Sequence, residues 1–91
     1  MPDYVMLMKG TAESGDWDTY IEKLVESGLF RGGSSLGKGI AVSKRVADGA
    51  CETTGYMRFS ADSIEDVKEL LEGNPVYQAG GCIEILEEVP D

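Results

Sequence analysis

The order of hydrophobic patterns is the feature of this 91-residue sequence that most limits its fold. A short apolar run, YVMLM at residues 4–8, indicates a central strand because both of its faces are apolar. An amphipathic helix pattern, two strand-like runs, a second helix pattern and a final strand-like run follow it. The chain is therefore predicted to fold in the order β-α-β-β-α-β, as a single domain over residues 1–91.

Two helices are predicted from apolar residues spaced three and four apart. The first begins at Ser14 or Asp16 as N-cap and ends at Gly28. Its predicted buried stripe consists of Trp17, Tyr20, Ile21, Leu24 and Val25. Of these, Trp17→Ala is expected to be the most damaging truncation. The second helix begins at the capping-box-like segment 63–66 and ends at segment 73–75, Gly-Asn-Pro.

A hairpin is predicted in the middle of the chain. A glycine-rich loop, residues 31–38, separates the first helix from the strand-like run GIAVSKRV. The dipeptide Asp48-Gly49 then predicts a two-residue type I′ turn, which needs a positive φ at both central residues. A hairpin closed there pairs Arg45 with Glu52 and continues its second strand through TTGYMRFSA.

Two β-α-β halves joined by a hairpin predict an α+β protein with the ferredoxin-like βαββαβ sandwich, a four-stranded antiparallel sheet with two helices on one face. The last strand, in GGCIEILEEV, places Ile83 and Ile85 on one face and Glu84 on the other. In the first strand both alternating sets of side chains, Tyr4/Met6/Met8 and Val5/Leu7, are apolar, so whichever set faces away from the helices exposes an apolar patch. Because exposed apolar patches usually mark interfaces, we expect a homodimer whose two sheets pack face to face.

Composition excludes several functional classes. The net charge of −9 argues against nucleic acid as a partner. The sequence holds no apolar run of about 18 residues, so no membrane span is expected and a cytoplasmic protein is predicted. Cys51 and Cys82 are expected to be reduced thiols, as is usual in that compartment. Since the sequence has no histidine, neither a transition-metal site nor a histidine-activated nucleophile is expected.

The segment GGSSLGK, residues 32–38, matches most of the phosphate-binding P-loop motif. The motif requires a strand before the loop and a helix after it, whereas here a helix precedes and a strand follows. Gly39 also occupies the place of the magnesium-binding Ser or Thr. Two interpretations remain. Small residues permit a tight path past the sheet edge, or Ser34, Ser35 and Lys38 donate hydrogen bonds to an anion.

Two further positions allow both a structural and a functional interpretation. Tyr56 and Arg58 alternate onto one face of their strand, where they either anchor an interface or orient a ligand. Glu84, between two isoleucines, is either an outward-facing strand residue or an acid-base group. The acids of the second helix fall on its polar side and indicate a solvated face.

Three segments resemble one known family. YVMLMKG, LVESGLFRGGSSL and GYMRFSADSIEDVKELLEGNPVYQAGGCIEI are similar to the strands, helix ends and closing Gly-Gly segment of YCII-related (DGPF-type) proteins. The resemblance implies a ferredoxin-like subunit that dimerises as a dimeric α/β barrel, and it implies little about activity. The His-Asp pair proposed for the YCII branch cannot exist here, since the chain has no histidine. The DGPF motif is also missing, because Ala50-Cys51 follows Asp48-Gly49.

These observations favour a non-catalytic module that binds a small, anionic molecule or a partner. The expected ligand site comprises Ser34, Ser35, Lys38, Tyr56 and Arg58. No cofactor and no metal are expected. The alternative is a small cofactor-free enzyme that acts on an aromatic or acidic metabolite.

Overall fold

The computed structural model describes residues 1–12 and 15–90, and it has an α+β architecture. The elements in chain order are β1 (Asp3–Lys9), α1 (Trp17–Ser27), β2 (Phe30–Ser35), β3 (Ile40–Ala41), β4 (Gly49–Ala50), β5 (Thr53–Ser60), α2 (Ile64–Glu69), α3 (Pro75–Gln78) and β6 (Cys82–Glu88). A four-stranded antiparallel sheet has the strand order β2-β5-β1-β6. The short strands β3 and β4 form a separate ribbon.

The first strand is central, as predicted, because β1 pairs with β5 on one side and with β6 on the other. Alternation along β1 buries Tyr4, Met6 and Met8, and these pack with core residues from α1, α2 and α3. All three helices therefore cover one face of the sheet. Val5 and Leu7 lie on the opposite face, called here the open face, and are half-buried.

Both caps of α1 lie at positions that the sequence predicted. Asp16 is the N-cap, and its carboxylate accepts hydrogen bonds from the Thr19 amide (2.9 Å) and the Thr19 hydroxyl (2.5 Å). Gly28 ends the helix with φ 76°, a conformation that glycine adopts without steric cost. The alternative cap, Ser14, lies outside the described residues.

The buried stripe of α1 is narrower than predicted. Tyr20 and Leu24 are buried, whereas Trp17 and Ile21 are half-buried and Val25 is 62% exposed. The prediction that Val25 is buried was wrong. The helix touches a single layer, so the sheet covers only the side chains nearest to it.

The second helical region differs from the single helix expected. Ser63 caps α2 and accepts a hydrogen bond from the Asp66 amide, but α2 ends at Glu69. Asn74 then caps α3 through the Tyr77 amide (3.1 Å), with Pro75 as its first residue. The Gly-Asn-Pro segment was predicted only as a stop, yet Asn at the N-cap and Pro at the first position also favour starting a helix.

The predicted hairpin was wrong in two respects. The second strand of the main sheet is Phe30–Ser35, which lies largely in the segment expected to be a loop. The run GIAVSKRV contributes only Ile40–Ala41, and Ala41 pairs with Gly49. Residues 42–48 therefore form the connection, and neither Asp48 nor Gly49 has the positive φ that a type I′ turn requires.

The segment of residues 36–52, called here the arm, stands away from the body of the protein. Each of its residues is exposed. The Cα radius of gyration is 14.1 Å, against about 12 Å expected for a compact chain of this length. The arm therefore adds little to the core. Among the described residues, no helix is long and apolar enough to cross a membrane.

Candidate functional site

An apolar groove of about 300 Å³ lies between α1 and the β2–β5 pair. Trp17 and Ile21 of α1 line the groove. Asp16 caps the start of α1 and so fixes the helix face on which these two residues lie. From the sheet and α3, the apolar walls of the groove are Met8, Phe30, Met57 and Val76. Apolar side chains that face a concave space are typical of small-molecule sites.

Two glycines, Gly33 and Gly55, leave part of the sheet side of the groove without side chains. A Cβ at Gly33 would lie 2.2 Å from the Tyr56 carbonyl oxygen and 2.9 Å from Met57 Cα. A Cβ at Gly55, which is buried, would lie 2.8 Å from Met8 Cε. Because the first of these contacts is with backbone, β2 can approach β5 this closely only with glycine at position 33.

Few polar groups border the groove, and most are already hydrogen-bonded. The Thr54 hydroxyl donates to the Gly10 carbonyl (2.6 Å), and the Ser34 hydroxyl donates to the Ser35 carbonyl (2.9 Å). The Ser35 hydroxyl has no hydrogen-bond partner among the described residues. Within that part of the chain no charged side chain lines the groove. The Ser35 hydroxyl is thus free to bond a ligand in an uncharged setting.

The five residues predicted to form one site are divided by the fold. Ser34, Ser35 and Tyr56 border the groove, although Tyr56 pairs in register with Leu7 and its side chain therefore lies on the opposite face of the sheet. Lys38 lies in the exposed arm, outside the groove lining. Arg58 lies on the open face, where its Nε is 2.8 Å from Glu88 Oε1. The cations are thus separated from the serines with which the sequence grouped them.

The open face combines an apolar centre with ion pairs at its two ends. Val5, Leu7 and Tyr56 are half-buried there, and Leu86 is 46% exposed. The Arg58–Glu88 pair lies at one end, and at the other Lys9 Nζ lies 3.1 Å from Glu84 Oε1. The hydrogen bond and charge of the acid partner raise the pKa of both Lys9 and Arg58. This pattern of apolar centre and charged rim is common at protein interfaces.

Glu84 and Cys82 lie on the open face, away from the groove. Glu84 shares the face of its register partner Leu7, as the outward-facing interpretation predicted. Cys82 is exposed and pairs in register with Lys9. That basic neighbour could not be identified from the local sequence. Cys51 is also an exposed free thiol, and the described residues contain no cluster of metal-ligating side chains.

Two buried residues, Tyr20 and Asn74, form hydrogen bonds that support the groove wall and that the sequence did not predict. Tyr20 donates a hydrogen bond from its hydroxyl to the Leu70 carbonyl (2.7 Å), which ties α1 to α2. Burial raises the pKa of Tyr20, and the nearby Asn74 side chain partly opposes this. The Asn74 amide also lies 3.7 Å from the sulfur of Met8, a groove residue. The Asn-Pro dipeptide was the available signal, since it marks a capped helix start.

Comparison of the chain with protein-family models, with curated proteins and with solved structures finds no match. The groove and the open face are the two features of the fold that indicate a function.

Proposed function

We propose that the protein binds a small, neutral and largely apolar molecule in the groove between α1 and the β2–β5 pair. One observation carries the proposal: the groove has apolar walls, and Gly33 and Gly55 leave part of its sheet side without side chains. A volume of about 300 Å³ lies at the lower end of the range for ligand sites. We therefore assign a binding role to the groove.

The charge of the ligand follows from what lines the groove. The sequence favoured an anion because Lys38 and Arg58 were grouped with the serines. Both cations are outside the groove lining, and an anion placed there would lose hydration without gaining a cationic partner. A neutral ring can instead pack against Trp17 and Phe30 and form one hydrogen bond with the Ser35 hydroxyl.

The proposal includes a ferredoxin-like fold and a homodimer formed through the open face, as in the YCII-related proteins that the sequence resembles. Its support is the strand order β2-β5-β1-β6 with every neighbouring pair antiparallel, and the half-buried Val5 and Leu7 on the uncovered face. A cytoplasmic location is also part of the proposal, supported by the two free thiols.

The ligand proposal is tested by NMR through Trp17, because this is the only tryptophan in the chain and it lines the groove. Its indole N–H gives one assignable resonance in a ¹⁵N-labelled sample. The probes are 2-naphthol, which is neutral at pH 7, and 2-naphthoate, a similar ring with a negative charge. We expect 2-naphthol to shift the indole resonance saturably and 2-naphthoate to bind more weakly.

Two serine variants provide the matched comparison. Ser35→Leu places an apolar side chain at the groove and is expected to weaken 2-naphthol binding. Ser43→Leu makes the same change in the arm, outside the groove lining, and is expected to leave binding unchanged. If neither probe shifts the Trp17 resonance, the groove is not the binding site. If 2-naphthoate binds more tightly, the assignment to a neutral ligand is wrong.

The dimer is tested separately by analytical ultracentrifugation. Leu7→Glu places a charge at the centre of the open face and is expected to convert a dimer into monomers. Val25→Glu adds the same charge at an exposed position on α1 and is expected to leave the dimer intact. A monomeric wild-type chain, or equal effects of the two variants, would contradict assembly through the open face.

A further inference from the structure

The arm exposes more apolar surface than a free hairpin needs. Four of its side chains, Leu36, Ile40, Val42 and Val46, are between 43% and 73% exposed. Only Ile40–Ala41 and Gly49–Ala50 pair within it, so a two-residue ladder holds the hairpin together. Isolated two-stranded hairpins of this kind are marginally stable in water. A surface that covers the arm would supply the missing stabilisation.

The charge of the arm is opposite to that of the rest of the chain, which is called here the body. Lys38, Lys44 and Arg45 fall within residues 36–47, which contain no acid. With Asp48 and Glu52 the whole arm carries +1, which leaves −10 on the rest of the chain. None of the three cations forms an ion pair within the described residues. The positively charged arm is therefore electrostatically complementary to the acidic body of another copy of this chain.

Dimerisation of two acidic bodies requires an attractive contact that offsets their charge repulsion. At −9 per chain, two copies repel each other at distances within the screening length. The open face offers little compensation, because Lys9 and Arg58 are already paired with Glu84 and Glu88. The unpaired cations of the arm can provide the attraction that the open face lacks.

We infer that the arm docks on the acidic body of a second copy of this chain. Its apolar side chains then lose exposure while Lys38, Lys44 and Arg45 meet carboxylates of the partner. When each arm contacts the body of the other copy, a twofold axis relates the two contacts and the assembly ends at a dimer. The inference rests on the proposed homodimer and adds to it a second contact, distinct from the open face.

The test compares matched substitutions in the arm and on the helices by sedimentation at roughly 1 to 100 µM protein. Lys44→Glu in the arm is paired with Lys68→Glu on α2, because both remove one exposed lysine and change the net charge equally. Val42→Ser is paired with Val25→Ser, since both valines are exposed. Each arm variant is expected to weaken the dimer at least about fivefold, and each control less than about twofold.

Salt provides the second measurement. Raising NaCl from about 0.05 to 0.5 M is expected to remove the difference in dimer affinity between wild type and Lys44→Glu, because salt screens the attraction between the arm and the acidic body. Circular dichroism confirms that each variant is folded. If the wild type dimerises but the arm variants match their controls, the arm inference is overturned while the open-face dimer stands. If the wild type is monomeric at each concentration, both are overturned, whereas binding to the groove is judged by the Trp17 resonance alone.

Discussion

Arg58 and Glu88 form a two-contact ion pair across the central strand of the sheet. Arg58 Nε lies 2.8 Å from Glu88 Oε1, and Nη2 lies 3.1 Å from Oε2. Their strands β5 and β6 are not neighbours, since β1 lies between them and Val5 pairs with both Arg58 and Leu86. The two long side chains therefore span the open face over β1. This arrangement limits the extent of the apolar centre at that end of the sheet.

Removing this ion pair is expected to have a small, salt-dependent effect on stability. In Arg58→Met the melting temperature is expected to fall by a few degrees at low salt and by less at about 0.5 M salt, because exposed ion pairs are weak and screened. Lys68→Met is the control, since Lys68 is exposed on α2 and forms no ion pair among the described residues. Thermal melts at the two salt concentrations measure the difference. A large effect that persists at high salt would contradict this prediction.

Adjacent residues of α1 are expected to differ sharply in their contribution to stability. Leu24 is fully buried and Val25 is 62% exposed. Leu24→Ala is expected to lower the free energy of unfolding by about 2–5 kcal/mol, because it leaves a cavity in the core. Val25→Ala is expected to change it by roughly 0.5 kcal/mol or less. Urea unfolding of the two variants measures both values, and equal values would show that the burial of α1 is wrong.

The elements that the sequence predicted well are those set by neighbouring residues. Asp16, Gly28 and Ser63 act at helix ends, where a side chain or a left-handed φ serves the nearest turn. The apolar alternation of the first strand was likewise sufficient to predict a central position in the sheet. These features need no information about distant parts of the chain.

The elements that were missed depend on contacts between distant segments. The Phe30–Ser35 strand contains two glycines, which disfavour strands locally, and it forms because Gly33 can lie against the backbone of Tyr56. The candidate site has the same origin. Ser35 was predicted, but Met8 and Trp17 meet beside it only after the sheet and α1 have packed. No residue spacing in the sequence indicates that Met8 and Trp17 lie beside Ser35.

Gly33→Ala is expected to disrupt the pairing of β2 with β5. The added Cβ would lie 2.2 Å from the Tyr56 carbonyl oxygen, and a backbone atom in the sheet cannot move away cheaply. We expect a loss of roughly 2–4 kcal/mol in the free energy of unfolding. Gly37→Ala is the control, because its Cβ would meet nothing within 4 Å and its φ is not positive. That variant is expected to be neutral or stabilised by up to about 1 kcal/mol. Chemical denaturation of both chains checks the contrast, and a stable Gly33→Ala protein would rule out the close approach of β2.

The contribution of Asp16 to the stability of α1 is expected to depend on pH. Hydrogen bonds from the Thr19 side chain and amide lower the pKa of Asp16, so the folded state favours its charged form. A carboxyl with a lowered pKa stabilises the fold above its unfolded pKa of about 3.9, and this stabilisation is lost as the pH falls through the folded pKa. Asp16→Asn, which keeps a capping oxygen without charge, is therefore expected to melt below wild type at pH 7 and to approach it below about pH 4. Asp48→Asn removes an acid that accepts no hydrogen bond among the described residues, and its melting temperature is expected to follow wild type throughout. Thermal melts from pH 7 to about pH 3 measure both variants, and a constant gap between Asp16→Asn and wild type would show that the charge of Asp16 does not contribute.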